Sequence, residues 1–240
     1  MKITPITRKI RKILPLRYCG AVIVAAGNAT RMGGIDKVMQ PLGGEPMIVK
    51  TVRAFQTCDA VREIVIVTRQ ELIEKVMGLC ADFEKVKAVV AGGQTRPESV
   101  WAGLNALSPK VKLAAVHDGA RPLVSWQLID RTVRAAHTYG AAAPGIPVKD
   151  TIKVVKGGVV TATLDRSALQ AIQTPQVFDY NILRAALKKA LKNGAQITDD
   201  CSAVELIGVR VKIVDGDERN LKVTTPADLL LASAFLEEET

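Results

Sequence analysis

The stretch that decides the fold spans residues 21–37 and reads AVIVAAGNATRMGGIDK. Residues 21–26 are an uninterrupted apolar run of strand length, as a strand buried on both faces requires. The run breaks at Gly27 into a loop that holds Arg31, Gly33, Gly34 and Lys37. A strand that empties into a glycine-rich, basic loop can bind phosphate. Backbone N–H groups approach the anion where no Cβ intrudes, and the cations neutralise it. Two better-known motifs do not fit. A P-loop needs Gly-Lys-Ser/Thr, whereas Lys37 lies between Asp36 and Val38; a dinucleotide fingerprint needs Gly-x-Gly, whereas Ala29 takes the second glycine position. On this stretch alone, a phosphate loop and a plain strand-to-helix turn with a solvated Arg and Lys are both open.

Outward from the loop, the chain alternates short apolar strands with amphipathic helices. The spacing predicts a helix over 46–57, with Ile48, Val49, Val52 and Phe55 on one face, and a strand over 61–68. A helix over 70–80 and a strand over 87–91 follow, the latter ending in Gly92-Gly93-Gln94. Arg96-Pro97-Glu98-Ser99 opens the next helix with proline in its first turn. A strand over 112–117 ends in Asp118-Gly119-Ala120-Arg121-Pro122, and Ser125 caps a helix to Tyr139. This alternation predicts a parallel sheet covered on both faces, with ligands beyond the carboxyl ends of its strands. Three strands deliver glycine and charge to that edge, which favours a phosphorylated ligand. His117 is expected to be a partly buried strand residue without catalytic duty.

After Ala141 the rhythm changes, with Pro144, Gly145 and Pro147 as punctuation. Residues 151–155 and 159–164 read as two β-rich runs around Lys156-Gly157-Gly158, an exposed hairpin arm over about 147–170 that needs something to pack on. The chain returns through 171–178 to a helix over 180–193 ended by Gly194. Thr198 is expected to cap another helix, 209–214 to form a strand, and Pro226 to start the last helix.

The 240 residues carry 48% hydrophobic and 24% charged side chains, the composition of a soluble globular chain. No apolar run approaches the roughly 18 to 20 residues of a membrane span. The net charge of +9 invites a nucleic-acid reading, but Lys2, Arg8, Lys9, Arg11, Lys12 and Arg17 supply six of those charges, leaving +3 for the other 222 residues. Residues 1–18 are therefore expected to be a basic extension and 19–240 one domain; the extension makes a poor signal peptide. Cys19, Cys58, Cys80 and Cys201 form no C-x-x-C pair, which suggests reduced thiols in a cytoplasmic protein, without zinc.

Eight separated motifs occur in order: VAAGxxxRM with a following lysine, GGxxRxxSVxxGL, VHDGARP, PVKDTIK, Leu164-Asp165-Arg166, TPQxF, TDDxSAVE and NxKVTxPxDL. Together they resemble the 2-C-methyl-D-erythritol 4-phosphate cytidylyltransferases of the non-mevalonate isoprenoid pathway, over nearly the whole chain after Gly20. The resemblance implies an α/β, Rossmann-like, mostly parallel twisted sheet of the nucleotide-diphospho-sugar transferase type, plus the arm. It implies cytidylyl transfer from CTP, with Mg²⁺, to the acceptor's 4-phosphate, and a homodimer formed through the arm. Arg31, Lys37 and Lys222 would act on the phosphates. Ala25, Ala26, Gly27, Gly93, Gln94, Ser99 and Gly119 would frame the nucleotide. Asp118 would bind Mg²⁺ or an acceptor hydroxyl; Arg121, Thr151, Arg166, Thr174 and Thr198 would hold the acceptor, Thr151 and Arg166 from the neighbouring subunit. Gln94 stands where an Asp often follows Gly-Gly, and Arg219 where an acid often precedes the asparagine. Two other readings compete. One is a cytidylyltransferase for ribitol 5-phosphate, separable only on the acceptor side. The other is a non-catalytic nucleotide- or nucleic-acid-binding module, disfavoured because four Phe, three Tyr and two Trp make no stacking platform.

Overall fold

The computed structural model describes residues 15–27 and 37–238, with Lys37 described in its backbone only. The expected phosphate cation Arg31 and the side chain of Lys37 thus lie outside the described residues, as do residues 1–14. Arg17, counted with the extension, lies on the domain: it pairs with Asp179 and donates to the Lys112 carbonyl.

Strand β1 (Cys19–Val24) is the buried run read from the sequence, and a two-strand turn, β2 (Pro41–Leu42) and β3 (Glu45–Pro46), leads into α1 (Met47–Thr57). Next come β4 (Val61–Thr68), α2 (Ile73–Leu79), β5 (Val86–Ala91), α3 (Arg96–Ala106), β6 (Leu113–Asp118) and α4 (Trp126–Tyr139). Strands β6, β1, β4 and β5 lie side by side and parallel. Alternation along them divides the core. Ala21, Ile23, Ile64, Ile66, Leu113 and Ala115 face Val52, Phe55, Leu128 and Val133 of α1 and α4. Val22, Val65, Val67, Ala114 and Val116 face the other side, where Val100 and Leu104 of α3 pack. A strand buried on both faces has no polar side to show, hence its unbroken apolar sequence.

The caps fall where short polar side chains allow. Thr95 and Glu98 form a capping box at α3, Ser125 caps α4, and Gly140, at φ 85°, closes α4 in the left-handed region that favours glycine.

Strand β7 (Ala141–Pro147) was not legible as a strand, because Pro144 argues against one. The arm follows as β8 (Lys153–Lys156) and β9 (Val159–Thr163), every residue of both being exposed. Then β10 (Gln170–Ile172) and β11 (Gln176–Asp179) run antiparallel to β7 along one edge, with β11 also beside β6. The carbonyl of Pro144 accepts from Gln173 N–H, in the gap between β10 and β11. A strand residue directs its N and O to the same side, so the donor that proline lacks faces that gap and breaks no ladder.

Helices α5 (Tyr180–Asn193) and α6 (Asp200–Glu205), strand β12 (Lys212–Asp215) and helix α7 (Pro226–Glu237) complete the chain. β12 pairs parallel with the free edge of β7 and is shorter than expected. The expected cap Thr198 is corrected to Asp199, whose carboxylate accepts from Ser202 N–H while the Ser202 hydroxyl faces back. An aspartate one residue on meets the N3 amide; the exposed Thr198 uses only its own N–H, toward Ser202 Oγ.

Candidate functional site

From β1 the chain moves outward through β4 and β5, then returns to β6 on the opposite side of β1. That reversal is a topological switch point, where an open α/β sheet leaves a crevice at its carboxyl edge. The strand exits are fastened to one another: Ala25 N–H donates to Val67 O at 2.7 Å, Gly92 N–H to Thr68 O at 2.8 Å, and Gly119 N–H to Val24 O at 2.8 Å. Above them lies a cleft of about 390 Å³. Its walls are Val24 to Gly27 at the end of β1, Arg69 and Gln70 just after β4, Gly92 to Arg96 after β5, Ser99 in α3, and Val38, Asp118, Ala120 and Lys222.

Glycine is required at the β5 exit. A Cβ at Gly92 would lie 2.4 Å from Ala26 Cβ and 2.7 Å from Ser99 Oγ. Ser99 is buried, and its hydroxyl accepts from Gly93 N–H and donates to the Thr95 carbonyl. It shapes the loop from within, while Gly93 and Gln94 stay exposed. Gly119 packs its backbone on Ala25 and does not line the cleft.

Asp118, the last residue of β6, is the charged centre. Its side chain is 12% exposed and takes Lys222 Nζ at 2.7 Å on one oxygen and Arg96 Nη2 at 3.3 Å on the other. Burial disfavours its charge, and Arg96, Lys222 and Arg121 more than offset that, so the carboxyl stays below the usual range. Arg96 also reaches Asp200 Oδ2 at 2.8 Å. Sequence reasoning assigned no role to Arg96 or Asp200. Both stand inside quoted motifs, GGxxRxxSVxxGL and TDDxSAVE, but only the fold brings the start of α3, the end of β6 and the start of α6 together.

Thr174, expected on the acceptor, is buried behind Asp118. Its oxygen accepts from Asp118 N–H at 3.1 Å and lies 3.0 Å from His117 Nδ1. His117 Nε2 faces the Arg121 carbonyl at 3.2 Å, which can only accept, so Nε2 carries the proton and Nδ1 takes the Thr174 hydroxyl proton. His117 is wholly buried, more than expected, and burial lowers its pKa to about 3. It is a neutral strut that fixes Asp118 from behind.

Arg121 donates to the Asn220 carbonyl at 2.7 Å and does not line the cleft. The buried Asn220 side chain donates to the Thr174 carbonyl at 2.8 Å, and Val223 N–H to Ala120 O at 2.8 Å. These bonds clamp the loop carrying Lys222 onto the β6 exit. Thr151 and Arg166 stand at the arm, outside the cleft, with Arg166 donating to the Lys149 carbonyl. Asp118 is the single carboxylate that lines the cleft among the described residues, and no group of three metal-ligating side chains occurs among them.

Residues 19–238 match the family model for 2-C-methyl-D-erythritol 4-phosphate cytidylyltransferase. The chain is similar to proteins of that name from Symbiobacterium thermophilum, at 46% identity covering 91% of this chain and 92% of the relative, and from Geobacillus kaustophilus, at 44% identity covering 90% and 96%. Among solved structures, 4-diphosphocytidyl-2C-methyl-D-erythritol synthase from Anaerococcus prevotii superposes with a TM-score of 0.83 at 31% identity, covering 92% of this chain and 96% of that one. The Thermus thermophilus cytidylyltransferase structure gives 0.76 at 32% identity, covering 90% and 98%.

Proposed function

The chain belongs to the 2-C-methyl-D-erythritol 4-phosphate cytidylyltransferase family, and we propose that the cleft above β1 and β6 is where it works. The enzyme transfers the cytidylyl group of CTP to methylerythritol 4-phosphate and releases pyrophosphate. An oxygen of the acceptor phosphate attacks the α-phosphorus, and the bond from that phosphorus to the bridging oxygen of the β-phosphate breaks. The acceptor is already anionic at neutral pH, so the protein needs no nucleophile of its own. Its task is positioning and charge neutralisation.

In this reading Ala25, Ala26, Gly27, Gly93 and Gln94 border the nucleotide with backbone and small side chains. Lys222 serves the transferring phosphates as a cation. Arg31 and Lys37 take the triphosphate by family resemblance. Asp118, held by Thr174 and His117, sets Lys222 and faces the acceptor. Mg²⁺ characteristically keeps several waters and binds through one or two carboxylates and substrate phosphates. Both oxygens of Asp118 are engaged by Lys222 and Arg96, so the substrate phosphates would hold the ion, with Asp118 outside its direct ligands, and the metal would supply neutralisation of the triphosphate.

The homodimer belongs to the same reading. Val155, Val159 and Val160 on the arm are 54%, 67% and 54% exposed, and a lone hairpin cannot cover such side chains. A second copy would cover them and receive Thr151 and Arg166 at its acceptor end, where the family resemblance also puts Thr198. Four free buried thiols and the absence of any membrane-crossing helix among the described residues support a cytoplasmic setting. The relatives named above give no support to ribitol 5-phosphate as acceptor.

The observation that carries the site assignment is the Lys222–Asp118 pair at the switch point. Lys222→Ala is expected to lower kcat/KM for pyrophosphate release about 10²- to 10³-fold while the protein stays folded. Activity within a few-fold of wild type would remove Lys222 from the site.

A further inference from the structure

The charges at the switch point form a chain with a buried end: Asp200, Arg96, Asp118, Lys222. Asp200 is fully buried and does not line the cleft. Neither of its oxygens has a regular hydrogen bond, so Arg96 at 2.8 Å is its compensation. Burial, opposed by Arg96, pushes its carboxyl up. Nor does it serve as a helix cap, because Asp199 performs that task for α6. A carboxylate in such a place is weak support for stability; its geometry points toward the cleft through Arg96.

We infer that Asp200 is a positioning residue, which holds the Arg96 guanidinium so that Asp118 keeps a cation when Lys222 turns to the transferring phosphates. The inference rests on the reading of Asp118 and Lys222 given above. Lys222 is the freer end of the chain, with 42% of its side chain exposed against 12% for Asp118 and 1% for Asp200. An ammonium can leave Asp118 for a phosphate only if the nearly buried carboxylate is not stranded. Arg96, forked between two acids, meets that requirement while Asp200 keeps it from following Lys222 into the cleft. Without Asp200, Arg96 either collapses wholly onto Asp118 or swings out as an extra cation on the phosphates. Both misplace charge in the transition state more than they weaken binding.

Asp200→Asn keeps the shape and removes the charge. With the full chain, CTP, Mg²⁺ and methylerythritol 4-phosphate, kcat is expected to fall about 10- to 100-fold. KM for either substrate should stay within about threefold, and thermal unfolding near that of wild type. In an Arg96→Gln background the same change is expected to lower kcat no further, since Asp200 acts through Arg96. A kcat within about twofold of wild type, or the same loss in both backgrounds, overturns the inference. Should Asp200→Asn fail to fold, Arg96→Lys tests the same bridge, because one ammonium does not span both acids. A comparable fall in kcat supports it, and wild-type kcat overturns it. Lys222→Ala run alongside separates the two levels. If that variant stays active, the site reading fails and takes this inference with it; if it loses activity while Asp200→Asn does not, only the inference falls.

Discussion

At the residue scale, the site rests on a buried chain of hydrogen bonds behind Asp118. His117 lies fully buried against Phe55, its ring centroid 5.0 Å from the phenyl ring, and its neutral form holds Thr174 and thereby the Asp118 amide. Its folded-state pKa of about 3 lies far below the usual histidine value of about 6.5. Between those values the unfolded chain binds the extra proton and the folded one does not, so stability is full above about pH 6.5 and is lost as pH falls. From pH 7 to pH 5 the loss is about 2 kcal/mol. The depressed carboxylates Glu45, Asp118, Asp165, Asp179 and Asp228 act only below their unfolded values near 4, outside that window. The raised carboxyl of Asp200 works in the opposite sense, favouring the folded state as pH falls. Urea unfolding at pH 7, 6 and 5 checks this: wild type should weaken across the series, and His117→Asn, weaker at pH 7, should no longer weaken as pH falls. A slope retained in the variant would place the titrating group elsewhere. In the sequence His117 was legible as a strand residue. Its contact with Thr174 was not, because 57 residues separate them.

At the scale of elements, alternation and caps made β1, β4, β5, β6 and helices α1 to α5 legible, since those signals are local. What escaped depends on distant partners. β7 is a strand because β10, β11 and β12 flank it, and its proline is tolerated because the β10–β11 strand breaks opposite it. Helix α3 sits so close to the sheet that a Cβ at Gly103 would lie 2.3 Å from Val22 Cγ1 and 2.8 Å from Val67 Cγ2. Alanine favours a helix over glycine by about 1 kcal/mol, but overpacking a core costs about 1–3 kcal/mol. Gly103→Ala should therefore shift the urea midpoint downward; an upward shift would show that α3 can move away from β1 without cost. The arm makes the complementary prediction. Val159→Glu on β9 should, by sedimentation, convert a dimer to monomer at micromolar concentration. A monomeric wild type would remove the basis for the exchange of Thr151 and Arg166.

At the scale of the whole molecule, the net charge of +9 concentrates at the amino-terminal end, so the domain handles phosphate through a few placed cations. The motifs made the family legible, and the topology explains why their spacing is so wide: six of them mark strand exits or loops that meet at the switch point, while PVKDTIK and Leu164-Asp165-Arg166 belong to the arm. Arg96 and Asp200 were visible as letters within those motifs and invisible as a pair. In the function proposed, this site transfers a cytidylyl group to methylerythritol 4-phosphate. The most direct test is pyrophosphate release from CTP and Mg²⁺, with methylerythritol 4-phosphate and ribitol 5-phosphate offered in parallel and Lys222→Ala as control. Turnover with methylerythritol 4-phosphate alone, lost in the variant, is the predicted result; turnover with ribitol 5-phosphate alone, or none with either, would contradict it.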